Sequence, residues 1–341
     1  MKRLDIILGS LVGLGCILLY LILWSPNTFD GDRIVIVSKG ESFTRVEDSL
    51  AAKGVLSNRL LFNLAGRLLG NTTRIQIGKY RFKSGMSNKE ILLDLRVGKT
   101  VEMITVAIPE GLDIRRQAHI LRRTLGIDSA RYVQLARDSA FASQLGSSSG
   151  SLEGYLYPDT YKFYWQTDEQ DILKTFTGEF WKFWTDTLAA RASEQKMPIN
   201  NVLALASIIE WETKIDTERA MISEVYLNRL KKGMRLQADP TVQYLLPEGH
   251  RLLHYSDLHI ESPYNTYLYK GLPPGPVNSP GKASILAALY PKKNSYLYFV
   301  ANGTGGHTFT RRFQDHERAV RNYRKFRERE EEAKEDSLHK K

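Results

Sequence analysis

NNVLALASIIEWETK, residues 200–214, carries Val202, Leu203, Leu205, Ala206, Ile208 and Ile209 with almost no polar face between them. That pattern predicts a helix buried on all sides. Asn200 or Asn201 is expected to cap its start by accepting a backbone N–H bond. At the far end come Glu210, Trp211 and Glu212. Glu210 shares a face with Val202, Ala206, Ile209 and Thr213, whereas Glu212 lies roughly 200° away around the axis, so the two are not a pair on one face. A glutamate at the C-terminal end of a buried helix meets desolvation and the negative pole of the helix dipole. Both favour the protonated form, which a general acid needs near neutral pH. The alternative is a helix that simply surfaces here with both glutamates solvated.

Around this helix, 341 residues leave room for two or three domains. Hydrophobic content of 42% with 25% charged residues describes an ordinary globular chain. The net charge of +10 points to an anionic neighbour, such as a membrane surface or an acidic polymer. No zinc-finger spacing or RNA-binding aromatic motif is present, so no nucleic-acid partner is expected. The single cysteine, Cys16, lies in the apolar N-terminal run, which excludes disulfides and cysteine catalysis elsewhere. Lys2 and Arg3 precede nineteen uncharged residues, 6–24, that are long enough to cross a bilayer, and the basic pair places the N-terminus in the cytoplasm. A cleaved signal peptide would have a shorter apolar core followed by small residues, whereas WSPNTFDGD follows here. An uncleaved single-pass anchor is therefore expected.

Beyond the anchor, residues 34–37 read as a strand, followed by KGESF at 39–43 and two short helices punctuated by Gly54 and Asn58. Residues 78–82 form a strand; Ser87 and Glu90 make a capping box for a helix that Gly98 ends. Strand, glycine turn and helix recur at 103–121 around Pro109, Glu110 and Gly111, and GSSSGS at 146–151 marks a boundary. A long helix is expected at 169–194. Another should run over 218–232, capped by Asp216 or Thr217 and stopped by Gly233. Asp239 before Pro240 reads as a cap, 284–289 as a short helix, 296–301 as a buried strand and 307–309 as the start of another strand. A charged helix from 318 frays into a solvated tail.

The seven histidines show no ligand spacing, so no metal is expected, and no cofactor-binding glycine motif or G-x-S-x-G elbow is present. A carboxylic acid among aromatics and amides remains. That is the equipment for glycosidic cleavage, in which an acid protonates the leaving oxygen while sugar faces rest on aromatic rings. Tyr155, Tyr157, Trp211, Tyr226, Tyr264 and Tyr267 could be such platforms or ordinary core. Asn228, Gln237, Asn265 and His307 could bind hydroxyls or satisfy loop backbone. Asp239 could be a second carboxylate or a cap.

ASIIEWET at 206–213 resembles the A-S-I-[IV]-E-x-E-T signature of the YceG-like family of endolytic murein transglycosylases. The resemblance continues through LEGYLYPDT at 152–160, VYLNRL at 225–230, GMRLQ at 233–237 and DPTV at 239–242. It extends further through YNTY at 264–267, GLPPGP at 271–276, YLYFV at 296–300 and GHTF at 306–309. Trp211 stands where lysine is common, and Ala238 where threonine or serine is common. The resemblance implies an α+β architecture: a cytoplasmic N-terminus at 1–4, a transmembrane helix at 5–25 and a LysM-like α+β module at 33–100. A linking α+β segment at 101–150, a mixed α+β catalytic domain at 151–325 and a charged tail at 326–341 complete it. It further implies residence in the bacterial inner membrane with the catalytic domain outside the cytoplasm, peptidoglycan glycan strands as substrate, no cofactor, and wall synthases such as penicillin-binding proteins as partners. Its catalytic acid/base falls on Glu210. Substrate binding would fall to Glu212, Tyr226, Asn228, Arg229, Gln237, Asp239, Tyr264, Asn265, Tyr267 and His307. A hydrolytic muramidase using a second carboxylate such as Asp239, or a non-catalytic glycan-binding scaffold, stays open at this point.

Overall fold

The structure, a computed structural model, describes residues 2–70, 73, 75–247 and 251–339. Met1, Asn71, Thr72, Arg74, residues 248–250, Lys340 and Lys341 lie outside the described residues, although they fall within the expected cytoplasmic start, LysM-like module, catalytic domain and tail. The fold is mixed α+β, and the chain divides into two compact units.

The first unit comprises residues 1–106, 121–127 and 161–168. Helix α1 (Lys2–Leu23) contains a stretch, Asp5–Leu23, long and apolar enough to cross a membrane or to serve as a signal sequence. Strand β1 (Arg33–Val37) alternates, burying Val35 and Val37 while Ile34 and Ile36 face out. Helices α2 (Phe43–Ala52) and α3 (Arg59–Leu68) start where the Ser42 and Asn58 side chains accept the Arg45 and Leu61 N–H groups. Strand β2 (Gly78–Phe82) pairs antiparallel with β1, Arg33 opposite Phe82 and Val37 opposite Gly78. Ser87 and Glu90 close the expected capping box on α4 (Asn88–Val97), and Gly98 ends it with φ 77°. Val46, Leu50, Phe62, Tyr80, Phe82 and Ile91 form the core. Strand β3 (Ile104–Ala107) pairs with a strand from after residue 159.

The second unit holds residues 107–120, 128–160 and 169–341. Helices α5 (Ile114–Leu125), whose last residues belong to the first unit, α6 (Ser129–Ala136) and α7 (Ser139–Gln144) lead to strand β4 (Thr160–Phe163), which pairs with β3 and lies almost wholly in the first unit, and then to α8 (Glu169–Phe183) and α9 (Asp186–Glu194). The single helix expected at 169–194 is thus two: Thr185 adopts extended backbone (ψ 166°) and restarts the chain as the N-cap of α9. Helix α10 (Ile199–Glu212) is buried from Val202 to Ile209, as its apolar run predicts. Its cap differs from expectation. Pro198 occupies that position without a side-chain bond, and Asn200, inside the first turn, donates to Pro274 O at 2.8 Å. Helix α11 (Asp216–Lys231) packs on α10. In α12 (Asp239–Gln243), Ala238 rather than Asp239 stands at the cap position, because the Asp239 carboxylate accepts the Tyr267 hydroxyl instead.

Helix α13 (Lys282–Leu289) packs against both α10 and α11. Strand β5 (Tyr298–Ala301) pairs antiparallel with β6 (His307–Thr310). The strand expected at 296–301 is shorter and half-exposed rather than buried, and α14 (Phe313–His339), which begins before the expected 318, packs on this hairpin.

A polar seam fixes the loop before α13 along the length of α10. Asn200 holds Pro274 at the start, Ser207 Oγ accepts the Val277 N–H at 3.0 Å, and Asn278 donates to Ser207 O at 2.8 Å. At the helix end the Gly281 N–H donates to Glu210 Oε2 at 2.9 Å. Each buried donor left unmade would cost about 1–3 kcal/mol, so the seam sets the register of the loop.

Candidate active site

The last turn of α10 delivers its two carboxyls into two different surroundings. The Glu210 side chain is only 8% exposed and lies 3.4 Å from Arg219 Nη1, which α11 brings in from the side. The guanidinium is itself held by Asp216 at 3.0 Å and Ser284 Oγ at 2.6 Å. A buried carboxylate needs such partners, since burying a charge without them is prohibitive. The Pro109–Glu110–Gly111 turn closes the other side. Gly111, at φ 77°, accepts the Trp211 indole N–H at 2.7 Å, and a side chain there would press on Trp211 and on Glu210 Cγ. Arg116 stacks 5.2 Å above the Trp211 ring. The Glu110 carboxyl reaches the same place, occupying the space that a Cβ on Gly281 would need. Partial burial raises the Glu110 carboxyl above its usual range, and the neighbouring Glu210 charge raises it further, against the pull of Arg219.

Glu212 faces the opposite way. Its Oε1 accepts the Tyr226 hydroxyl, and burial pushes its carboxyl up to about 7, with the Tyr226 bond and Arg229 opposing and Asp239 adding. It opens onto a cavity of 340 Å³ that Tyr226, Arg229, Gln237, Asp239 and Tyr267 also line. Six of the residues expected to bind substrate thus meet here. Gln237 adopts φ 48°, a conformation a non-glycine residue holds only where its surroundings fix it, here through its N–H to Thr266 O at 3.1 Å.

The other expected residues are engaged with backbone or neighbours. Asn228 donates to the carbonyls of Asn294 and Tyr296, and Asn265, fully buried, donates to those of Leu258 and Ile260. The Tyr264 ring lies 5.1 Å from that of Tyr244. His307 Nδ1 is 2.7 Å from Glu218 Oε2. Tyr155 is wholly buried against Phe180, so it offers no sugar platform. Among the described residues no cluster of His, Cys, Asp or Glu could hold a metal ion.

Three groups escape the sequence reading. Arg219 sits in the helix expected at 218–232, where no motif singles it out, and Glu110 in a turn that reads as punctuation. Glu153 is fully buried, pushed up to about 8 by desolvation, with Asp113 adding to the shift. Its Oε2 lies 3.4 Å from the Tyr244 hydroxyl, and its Oε1 has no partner. The acidic residue of LEGYLYPDT between apolar neighbours was the available signal for this one.

This fold and sequence resemble those of known proteins. A crystal structure of a yceG-like protein from Listeria monocytogenes superposes with a TM-score of 0.61 at 32% identity, covering 84% of this chain and 98% of that one. An endolytic murein transglycosylase of Bacillus subtilis is 31% identical over 302 residues, covering 84% of this chain and 83% of its own length. One from Streptococcus pneumoniae is 27% identical over 315 residues, of which this chain spans 57% of the relative's length. The sequence model of the YceG-like family matches residues 35–322, and the chain belongs to that family.

Proposed function

We propose that this protein is a lytic transglycosylase of peptidoglycan, cleaving the bond between N-acetylmuramic acid and N-acetylglucosamine inside glycan strands. The observation that carries the reading is Glu210. It is a nearly buried carboxyl at the end of the family's signature helix, held by a guanidinium and a backbone N–H, in a chain 31% identical to an endolytic murein transglycosylase.

In this mechanism Glu210 protonates the glycosidic oxygen as the C1–O bond breaks. As a carboxylate it then takes the proton of the muramic acid C6 hydroxyl, whose oxygen bonds to C1. The product is a 1,6-anhydro end, and no water is consumed. The nucleophile belongs to the substrate, so no second carboxylate is needed to activate one. The cavity bearing Glu212, Tyr226, Arg229, Gln237, Asp239 and Tyr267 holds the strand beyond the scissile bond, which lies at Glu210 on the other side of the helix end, with Asn228, Tyr264, Asn265 and His307 shaping the loops around the cavity.

Helix α1 serves as an uncleaved anchor in the inner membrane, N-terminus in the cytoplasm, with residues beyond 25 outside it. Residues 33–100 act as a LysM-like module, 101–150 as a link, 151–325 as the catalytic domain and 326–341 as a charged tail. Wall synthases such as penicillin-binding proteins supply the strands. The support for this part is the apolar stretch Asp5–Leu23 and the basic residues before it.

Mass spectrometry of fragments from uncrosslinked strands tests the reaction type. Anhydro-muramic ends are expected. Reducing ends would instead identify a hydrolase that activates water with a second carboxylate, and strand binding without cleavage would identify a scaffold.

A further inference from the structure

Gly281 is the point on which three elements close. Its N–H donates to Glu210, and a methyl group in place of its hydrogen would collide with the Glu110 carboxyl. The segment bearing Glu110 is clamped to that place by backbone. The Gly111 N–H donates to Ser279 O at 2.8 Å, the Ser279 N–H to Leu112 O at 2.9 Å, and Trp211 Nε1 to Gly111 O. Glu110 keeps solvent access, whereas Glu210 behind it is nearly closed off. The charged and titratable groups facing the two carboxyls are Arg219 and Asp216 from α11 and Tyr157 from the segment before β4. Arg219 pairs with both Glu210 and Asp216 and also acts on Glu110, so its single charge serves three carboxyls.

We propose that Glu110 and Glu210 form a carboxyl pair that holds one proton between them, with Glu110 the positioning residue that keeps this proton available to Glu210. The proposal rests on the reading of Glu210 as the acid/base. Two carboxyls at one site with a shared guanidinium cannot both ionise without cost, so the first proton is retained and the second is lost readily. The raised range of the Glu110 carboxyl agrees with this. In a turnover the pair's proton passes to the glycosidic oxygen as the C1–O bond breaks. The C6 oxygen then bonds to C1, and its proton returns to the pair, which ends with one proton as it began. Glu110, the more accessible member, is the route by which the proton is replaced from solvent if it is lost between turnovers.

The test compares pH–rate profiles of anhydro-end formation for the full chain and its Glu110→Gln, Gly281→Ala and Glu210→Gln variants. Gly281→Ala keeps the N–H bonded to Glu210, and its φ of −76° suits any residue, so the added methyl acts only by pushing the Glu110 carboxyl aside. Removing or displacing the second carboxyl takes away the partner with which the proton is shared. Both variants are therefore expected to lose rate at pH 7 by up to about tenfold, with the alkaline limb moved down by about one pH unit. Circular dichroism and strand binding should match the wild type. Profiles that superimpose on the wild type after scaling would show a merely structural role and overturn the pair. A Glu210→Gln enzyme slowed about 10²-fold or more beside an unmoved Glu110→Gln profile would overturn the pair alone, whereas a Glu210→Gln enzyme that cuts at close to the wild-type rate would overturn the acid/base reading and the pair with it.

Discussion

Glu210 and Glu212 stand two residues apart on one helix and meet different partners. Glu210 turns toward α11 and the loop before α13, where Arg219 and the Gly281 N–H meet it and little space is left around it. Glu212 turns toward a polar cavity where a tyrosine hydroxyl donates to it and its carboxyl is pushed up to about 7. The helix period alone separates them. What each does is decided by residues far along the chain, which supply a cation to one and an open, hydroxyl-lined space to the other. A proton-transfer group needs fixed geometry and matched partners, whereas a binding group needs room for the ligand.

The contrast breaks most sharply at Glu210 itself. Glu210→Gln should lower cleavage about 10²- to 10⁴-fold with little change in KM, measured as anhydro ends released per unit time. Glu212→Gln should act on binding, raising KM about tenfold while kcat changes little. The sign of its pH dependence follows from the raised carboxyl. The neutral, hydrogen-donating form prevails below about 7, so wild-type KM should rise as pH climbs through that value, and the variant should flatten the rise. Glu153 sharpens the comparison as a third carboxyl raised by burial, one that the surrounding protein encloses. Its folded-state value of about 8 lies above that of an unfolded glutamate. Its contribution to stability is therefore lost as pH rises from about 4 toward 8. Glu153→Gln should leave cleavage unchanged and stabilise the fold at pH 8 by on the order of 1–3 kcal/mol, with no gain at pH 4, read from thermal melts at both.

Much of this was legible in the residues. The run from Val202 to Ile209 specifies a buried helix, Ser87 with Glu90 specifies its own cap, and the alternation of β1 specifies which face is inside. Local chemistry fixes such features. The break between α8 and α9 was not legible, because the helical pattern continues through Trp184 and Thr185. The cap on α10 was misread because Asn200 finds its partner in Pro274, 74 residues away. The same limit hid half of the site. Gly281 lies 71 residues from Glu210, and Gly111 lies 100 residues from Trp211, so no spacing rule connects them. Asp239 read as a cap because proline follows it, and only the fold brings Tyr267 to its carboxylate.

The most direct test of the division of labour gives both variants to the same uncrosslinked strands and measures bound strand and anhydro ends in one experiment. Glu210→Gln should retain wild-type binding and release anhydro ends about 10²- to 10⁴-fold more slowly, while Glu212→Gln should bind more weakly yet cut at close to the wild-type rate when saturated. The reverse pattern, with ends from Glu210→Gln and none from saturated Glu212→Gln, would place proton transfer on the cavity side of the helix and contradict the account.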